Sequence, residues 1–71
     1  MKEVAISTPY ITLGQVLKLA DCVGSGGEVK SFLQANNVKV NGMAETRRGR
    51  KLVPGDSVAV EGMDVIVIKA R

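Results

Sequence analysis

The residues best suited to chemistry lie together in Arg47-Arg48-Gly49-Arg50-Lys51, where four cations fall within a stretch of five residues. Three of them are arginines, whose planar fork meets a phosphate through two parallel hydrogen bonds and sheds water more cheaply than an ammonium. Gly49 brings no side chain, which leaves the flanking arginines room to splay around a curved phosphate backbone. The formal net charge is +3; outside this segment six cations face seven carboxylates, so the excess charge is one local patch on a nearly neutral body. A polyanion is the natural partner of such a patch. The plain alternative is a solvated loop that keeps a small protein soluble. Against it, solubility is served by dispersed charge of both signs, and here one sign is concentrated between two apolar stretches. Ser25-Gly26-Gly27, with Lys30 one turn further on, is a second candidate anion site, since free amides and the positive end of a helix dipole point outward at a helix start. Glu28 competes there for the same amides.

Other chemistries fall on the inventory. The chain has no His and a single Cys, which removes His-based relays, zinc cages and disulfide frameworks from consideration. No pair of polar groups forms a recognisable acid, base or nucleophile constellation, so neither an enzyme nor a small-molecule substrate is expected, and no cofactor. The longest aliphatic run, Val65 to Ile68, is far short of the roughly 20 residues that span a bilayer. No membrane association or secretion signal is read, and a cytoplasmic location is expected. Tyr10 and Phe32 are the only aromatics, too few for a platform that stacks several bases. Cys22 is expected to pack at the helix junction, because nothing nearby would hold a thiolate.

The elements that must position the basic segment can be read locally. With 71 residues, 45% of them apolar, the chain is expected to be one domain, residues 1–71, burying about 60% of its unfolded surface. Thr12-Leu13-Gly14-Gln15 has the form of a capping box, and Leu13, Val16, Leu17 and Ala20 follow on one helical face. Gly24 is the expected left-handed stop. Ser25-Gly26-Gly27-Glu28 reads as a second capping box, leading into a helix with Val29, Phe32 and Leu33 inward, ended by Asn36-Asn37. Val38-Lys39-Val40 alternates, and Asn41-Gly42 suits a type I′ hairpin turn, with Met43 to Thr46 as the returning strand. Turns are expected at Pro54-Gly55-Asp56 and Gly62-Met63-Asp64. Ser57 to Glu61 alternates again, and Val65 to Ile68 is expected as a well-buried strand, paired with one near Glu3 to Ile6. The fold class is therefore α+β, with two short packed helices followed by a small antiparallel sheet.

The order of a helix, Ser25-Gly26-Gly27-Glu28-Val29-Lys30, Val38-Lys39-Val40-Asn41-Gly42, a basic segment ending at Leu52, and Pro54-Gly55-Asp56 resembles the RNA-binding domain of ribosomal protein S4. Ile11-Thr12-Leu13-Gly14, Leu17-Lys18-Leu19 and Arg47-Arg48-Gly49-Arg50-Lys51-Leu52 look like the small stand-alone bacterial branch of that family, the YaaA and YbcJ type. The resemblance covers about residues 11 to 60. It implies an αL-type fold and binding of structured RNA, often ribosomal RNA, with a ribosomal subunit as a further partner. Matched by position, it assigns RNA contact to Ser25, Gly26, Gly27 and Lys30 and to Arg47, Arg48, Arg50 and Lys51. Family members often carry Arg where this chain has Thr12 and Gly26, so more of the contact is expected from Arg47 to Lys51. Four neutralised phosphates on a duplex would give a log–log salt slope of roughly −3 to −4. Two other readings remain at this point. One is a helix-turn-helix DNA binder, although its second helix would present few reading side chains. The other is a protein-interaction module whose basic loop docks an acidic partner.

Overall fold

The computed structural model describes residues 1–71. Its elements are β1 (Lys2–Ile6), β2 (Ile11–Thr12), α1 (Leu13–Leu19), a 3-10 turn (Gly26–Glu28), α2 (Val29–Ala35), β3 (Val38–Val40), β4 (Met43–Ala44), β5 (Lys51–Leu52), β6 (Ser57–Val60) and β7 (Ile66–Ala70). Five strands form one sheet in the order β1-β7-β6-β3-β4, and β2 and β5 make a separate pair. Alternation decides which sheet face is covered. Val4, Ile6, Val38, Val40, Val58, Val60, Ile66 and Ile68 are buried, and their neighbours along the strands are more exposed. Leu13, Val16 and Leu17 of the first helix, Ala20 capping its end, and Val29 and Leu33 of the second complete the same apolar cluster. Each such Val, Leu or Ile side chain contributes on the order of 1.5–3 kcal/mol when fully buried. Cys22 and Phe32 pack against this core, and burial raises the Cys22 thiol above its ordinary pKa. No helix is long and apolar enough to cross a membrane.

The α+β class is present, with the sheet antiparallel except at one pair. β1 lies parallel to β7, in register from Lys2 opposite Ile66 to Ile6 opposite Ala70. The chain leaves β1, travels through both helices and the hairpins, and returns in the same direction, which a parallel pair requires. The sheet therefore begins before the helices rather than following them. The capping box on α1 is formed: Gln15 N donates to Thr12 Oγ1 at 3.4 Å, and Thr12 N donates to Gln15 Oε1 at 3.1 Å. The hairpin turn is formed as well, with Asn41 at φ 52° and Gly42 at φ 84° between β3 and β4. Asn41 also ties two turns together. Its side chain accepts from Ser57 N at 3.0 Å and donates to Asp56 Oδ1 at 3.1 Å.

Several local expectations are corrected. The left-handed residue after α1 is Asp21, at φ 60°, not Gly24, because the chain must turn immediately beyond Ala20 to bring Val23 into the core. Asn36 is extended, at φ −126°, so α2 ends without a left-handed residue, and its side-chain amide donates to Phe32 O at 3.0 Å. Ser25 gives no side-chain cap. Instead the Glu28 carboxylate accepts from the Ser25 hydroxyl at 3.4 Å and Gly24 N at 3.5 Å, which favours a 3-10 entry over a regular first turn. The strand after the hairpin stops at Ala44, since Glu45 is drawn inward. The last strand begins at Ile66 and is buried on one face only; Val65 is exposed. Its preceding turn is closed by Met63 N to Val60 O, with Gly62 at positive φ, two residues earlier than expected.

Candidate nucleic-acid interface

The basic segment is an exposed loop whose backbone is pinned at both ends. At its far end β5 pairs with β2, Leu52 opposite Ile11 and Lys51 opposite Thr12, and the Leu52 side chain is fully buried. That pairing delivers the loop to the start of α1. There Leu13 N donates to Arg50 O at 2.8 Å and Gly14 N to Arg48 O at 2.9 Å. These amides belong to the first turn of a helix, where none has an intrahelical partner. Together with Gln15 N, held by Thr12, they leave the opening of α1 fully occupied. An anion reaching this region is met by side chains rather than by helix amides. The approach is close because Gly14 is small: a Cβ there would lie 3.3 Å from Val29 Cγ1 and 3.4 Å from Arg48 O. α1, α2 and the loop thus converge on one glycine.

At its near end the loop is held by Glu45, whose side chain is 9% exposed. Its carboxylate accepts from the backbone amides of Thr46 and Arg47, both at 3.1 Å. It also accepts a two-pronged grip from Arg47, Nε at 3.0 Å and Nη2 at 3.1 Å, and a further bond from Arg50 Nη1 at 3.1 Å. The Arg47 guanidinium, then its backbone amide, then Arg50 hold the Glu45 carboxyl down at about 2 against the opposing cost of burial. One carboxylate shared by two arginines neutralises a single charge. Arg48 and Lys51 have no carboxylate partner, and the Lys51 ammonium sits 4.8 Å from the centre of the Tyr10 ring. Three net positive charges therefore remain on a backbone that cannot easily move.

Arg48 and Gly49 line a groove of about 310 Å³ together with Gly26, Val29, Gln15 and Lys18. Thr12 and Gly14 complete it. The helix-start region and the basic loop, far apart in sequence, thus meet across one groove. Residues 4–68 match the family model described as the S4 domain. The chain belongs to the S4 domain family. It is 54% identical over 59 residues to the "Probable ribosome maturation protein RlbA" of Bacillus subtilis (strain 168), covering 83% of each chain. It is 37% identical over 60 residues to the "Putative RNA-binding protein YbcJ" of Escherichia coli (strain K12), covering 84% of this chain and 86% of the other.

In this S4 domain the sequence-derived candidates separate into three places. Arg48 and Gly26 share the groove; Arg47 and Arg50 are gathered at Glu45; Lys51 stands over Tyr10. Ser25, Gly27 and Lys30 are exposed around the start of α2 and do not line the groove. Sequence reasoning missed Glu45 and Lys18. The signal for Glu45 was a lone carboxylate two residues ahead of a basic run. Lys18 stands one helical turn beyond Gly14, beside the loop.

The Glu45 clamp has a pH signature. Its carboxyl is depressed in the folded state, so its contribution to stability is complete above the ordinary value of 4.5 and is lost as pH falls toward about 2. Asp56 acts in the same sense, held below its ordinary value by Val53 N and then by the Asn41 amide. Arg47 is largely exposed, and solvent screening weakens its share of the clamp. Urea unfolding at about pH 7 and about pH 3 should show the domain weaker in acid, with Glu45→Gln removing much of the difference. An acid loss equal in wild type and variant would show that the clamp carries no weight.

Proposed function

We propose that this S4 domain is a non-enzymatic, cytoplasmic module that binds structured RNA, on ribosomal RNA or a precursor of the ribosome. The observation that carries the reading is the pinned loop, with Arg48 and Lys51 unshared and Arg47 and Arg50 splitting one carboxylate. A backbone fixed before binding loses little conformational freedom on contact, and arginines so held meet phosphates at a set spacing. Arg47, Arg48, Arg50 and Lys51 form the main contact. Gly26 lies across the groove, and Ser25, Gly27 and Lys30, beside it in the chain, extend the contact toward α2. The printed names of the Bacillus subtilis and Escherichia coli relatives, ribosome maturation and RNA binding, support the same reading.

Recognition of this kind follows duplex shape and phosphate position more than base identity. With three net charges rather than four, the log–log salt slope on an RNA hairpin should be about −2.5 to −3, using the duplex DNA coefficient. The measurement is binding of a labelled hairpin over a salt series, with duplex DNA of the same sequence as competitor. Preference for the RNA and a slope in that range support the proposal. Preference for the DNA would favour a helix-turn-helix mode, and failure to bind either would point to a protein partner for the loop.

A further inference from the structure

Apart from the groove beside Arg48, the molecule has a cleft of about 840 Å³ between the segment that joins β1 to β2 and the outer side of α1. Its walls include Ile6, Pro9, Tyr10 and Leu19, and its cations are Lys18 and Arg71. No Asp or Glu side chain lines it. Tyr10 is 45% exposed and Leu19 62%. Leu19 lies off the apolar stripe of its helix, so the core does not account for it. Phe32, the other aromatic, is packed against the core, which leaves Tyr10 as the one ring able to receive a ligand.

The cleft is continuous with the RNA-contact surface at two points. Gln15 and Lys18 line both it and the Arg48 groove, and Lys51 of the basic loop stands over the Tyr10 ring. We infer that this cleft takes one unpaired nucleotide flanking the RNA duplex, its base against Tyr10 and Leu19 and its phosphate drawn to Lys18 and Arg71. The inference rests on the RNA-binding reading above and adds to it a place for a single-stranded segment. The volume is within the range of about 300–1,000 Å³ that holds small ligands, and the lining combines an apolar body with a few polar groups. Stacking on one ring accepts any base, so the site registers the presence of an unpaired residue rather than its sequence. A chain with two aromatics cannot build an extended base platform, but a single ring beside paired cations is enough for one nucleotide.

The test uses the full chain and two RNA hairpins, one blunt and one with a short single-stranded uridine extension. Tyr10 is the sole tyrosine and the chain has no Trp, so intrinsic emission reports this ring. The wild type should bind the extended hairpin about tenfold more tightly than the blunt one, with emission quenched further by the extended RNA than by the blunt one. Tyr10→Leu and the charge-neutral Leu19→Asn should each bring the extended hairpin to the affinity of the blunt one and leave the blunt one unchanged. Equal affinity for the two hairpins in the wild type would overturn the inference while leaving RNA binding intact, as would a preference that survives both substitutions. Binding of neither hairpin would overturn both.

Discussion

Replacing Arg48 and Lys51 together by Ala should lower affinity for a structured RNA by about 10- to 100-fold at moderate salt and reduce the salt slope by about 2. These are the two loop cations with no carboxylate of their own, so nearly all of their charge is available to phosphates. Neither substitution touches the Glu45 clamp or the bonds from Arg48 O and Arg50 O to α1, which are made by backbone. The variant should therefore fold as the wild type does. Changing all four cations is a poorer experiment, because it leaves a buried carboxylate without its partners and mixes lost contact with a disturbed loop. Arg47→Ala with Arg50→Ala makes the useful contrast. It also takes the loop from three net positive charges to one, so it should reduce the salt slope by a similar amount, but it should cost stability, which the first variant does not. Filter binding or anisotropy over a salt series gives the slopes, and circular dichroism confirms the fold. An unchanged affinity in the folded Arg48/Lys51 variant would remove the basis for assigning contact to this loop.

Leu52→Ala should cost about 2–5 kcal/mol of stability. Leu52 is fully buried, immediately after Lys51, in the strand that fastens the loop to β2. Truncation leaves a cavity that the neighbouring Ile11 and Leu13 cannot fill without moving α1. In a domain whose whole stability is about 0.05–0.15 kcal/mol per residue, this is a large fraction of the total. The melting temperature should fall by on the order of 10–25 °C. Val53→Ala, one residue on but half exposed, should stay within about 0.5 kcal/mol of the wild type. A melting temperature in Leu52→Ala close to that of Val53→Ala would show that the loop is not anchored through the core. Below its melting transition, Leu52→Ala should also bind RNA more weakly, because the same strand sets where the arginines stand.

Features settled by neighbouring residues were legible in the sequence. Asn41-Gly42 forms its turn because both residues tolerate positive φ, and Thr12 and Gln15 satisfy one another over a single turn. The inward faces of both helices followed from periodicity, and so did the location of the charge. Features that depend on closing long loops were not legible. Nothing near Glu45 announces that it will turn inward to hold Arg50 as well as Arg47, since that depends on β5 returning to β2. The same closure brings Arg48 beside Gly14 and opens the groove toward Gly26. The end of α1 was misplaced because Gly24 is the better left-handed residue in isolation. The need to bury Val23 assigns that conformation to Asp21. The sequence placed the cations on a loop, and tertiary contacts decided which of them are free.

The parallel seam between β1 and β7 also governs the order in which the molecule can assemble. Lys2 to Ile6 finds its partner only in Ile66 to Ala70, so during synthesis the first strand must wait until nearly the whole chain has emerged. Contacts of such wide sequence separation form slowly, because the intervening chain has to be ordered first. The helices and the central hairpin are local enough to take shape earlier. Of all the strand pairs in the fold, this seam joins the two segments most distant along the chain.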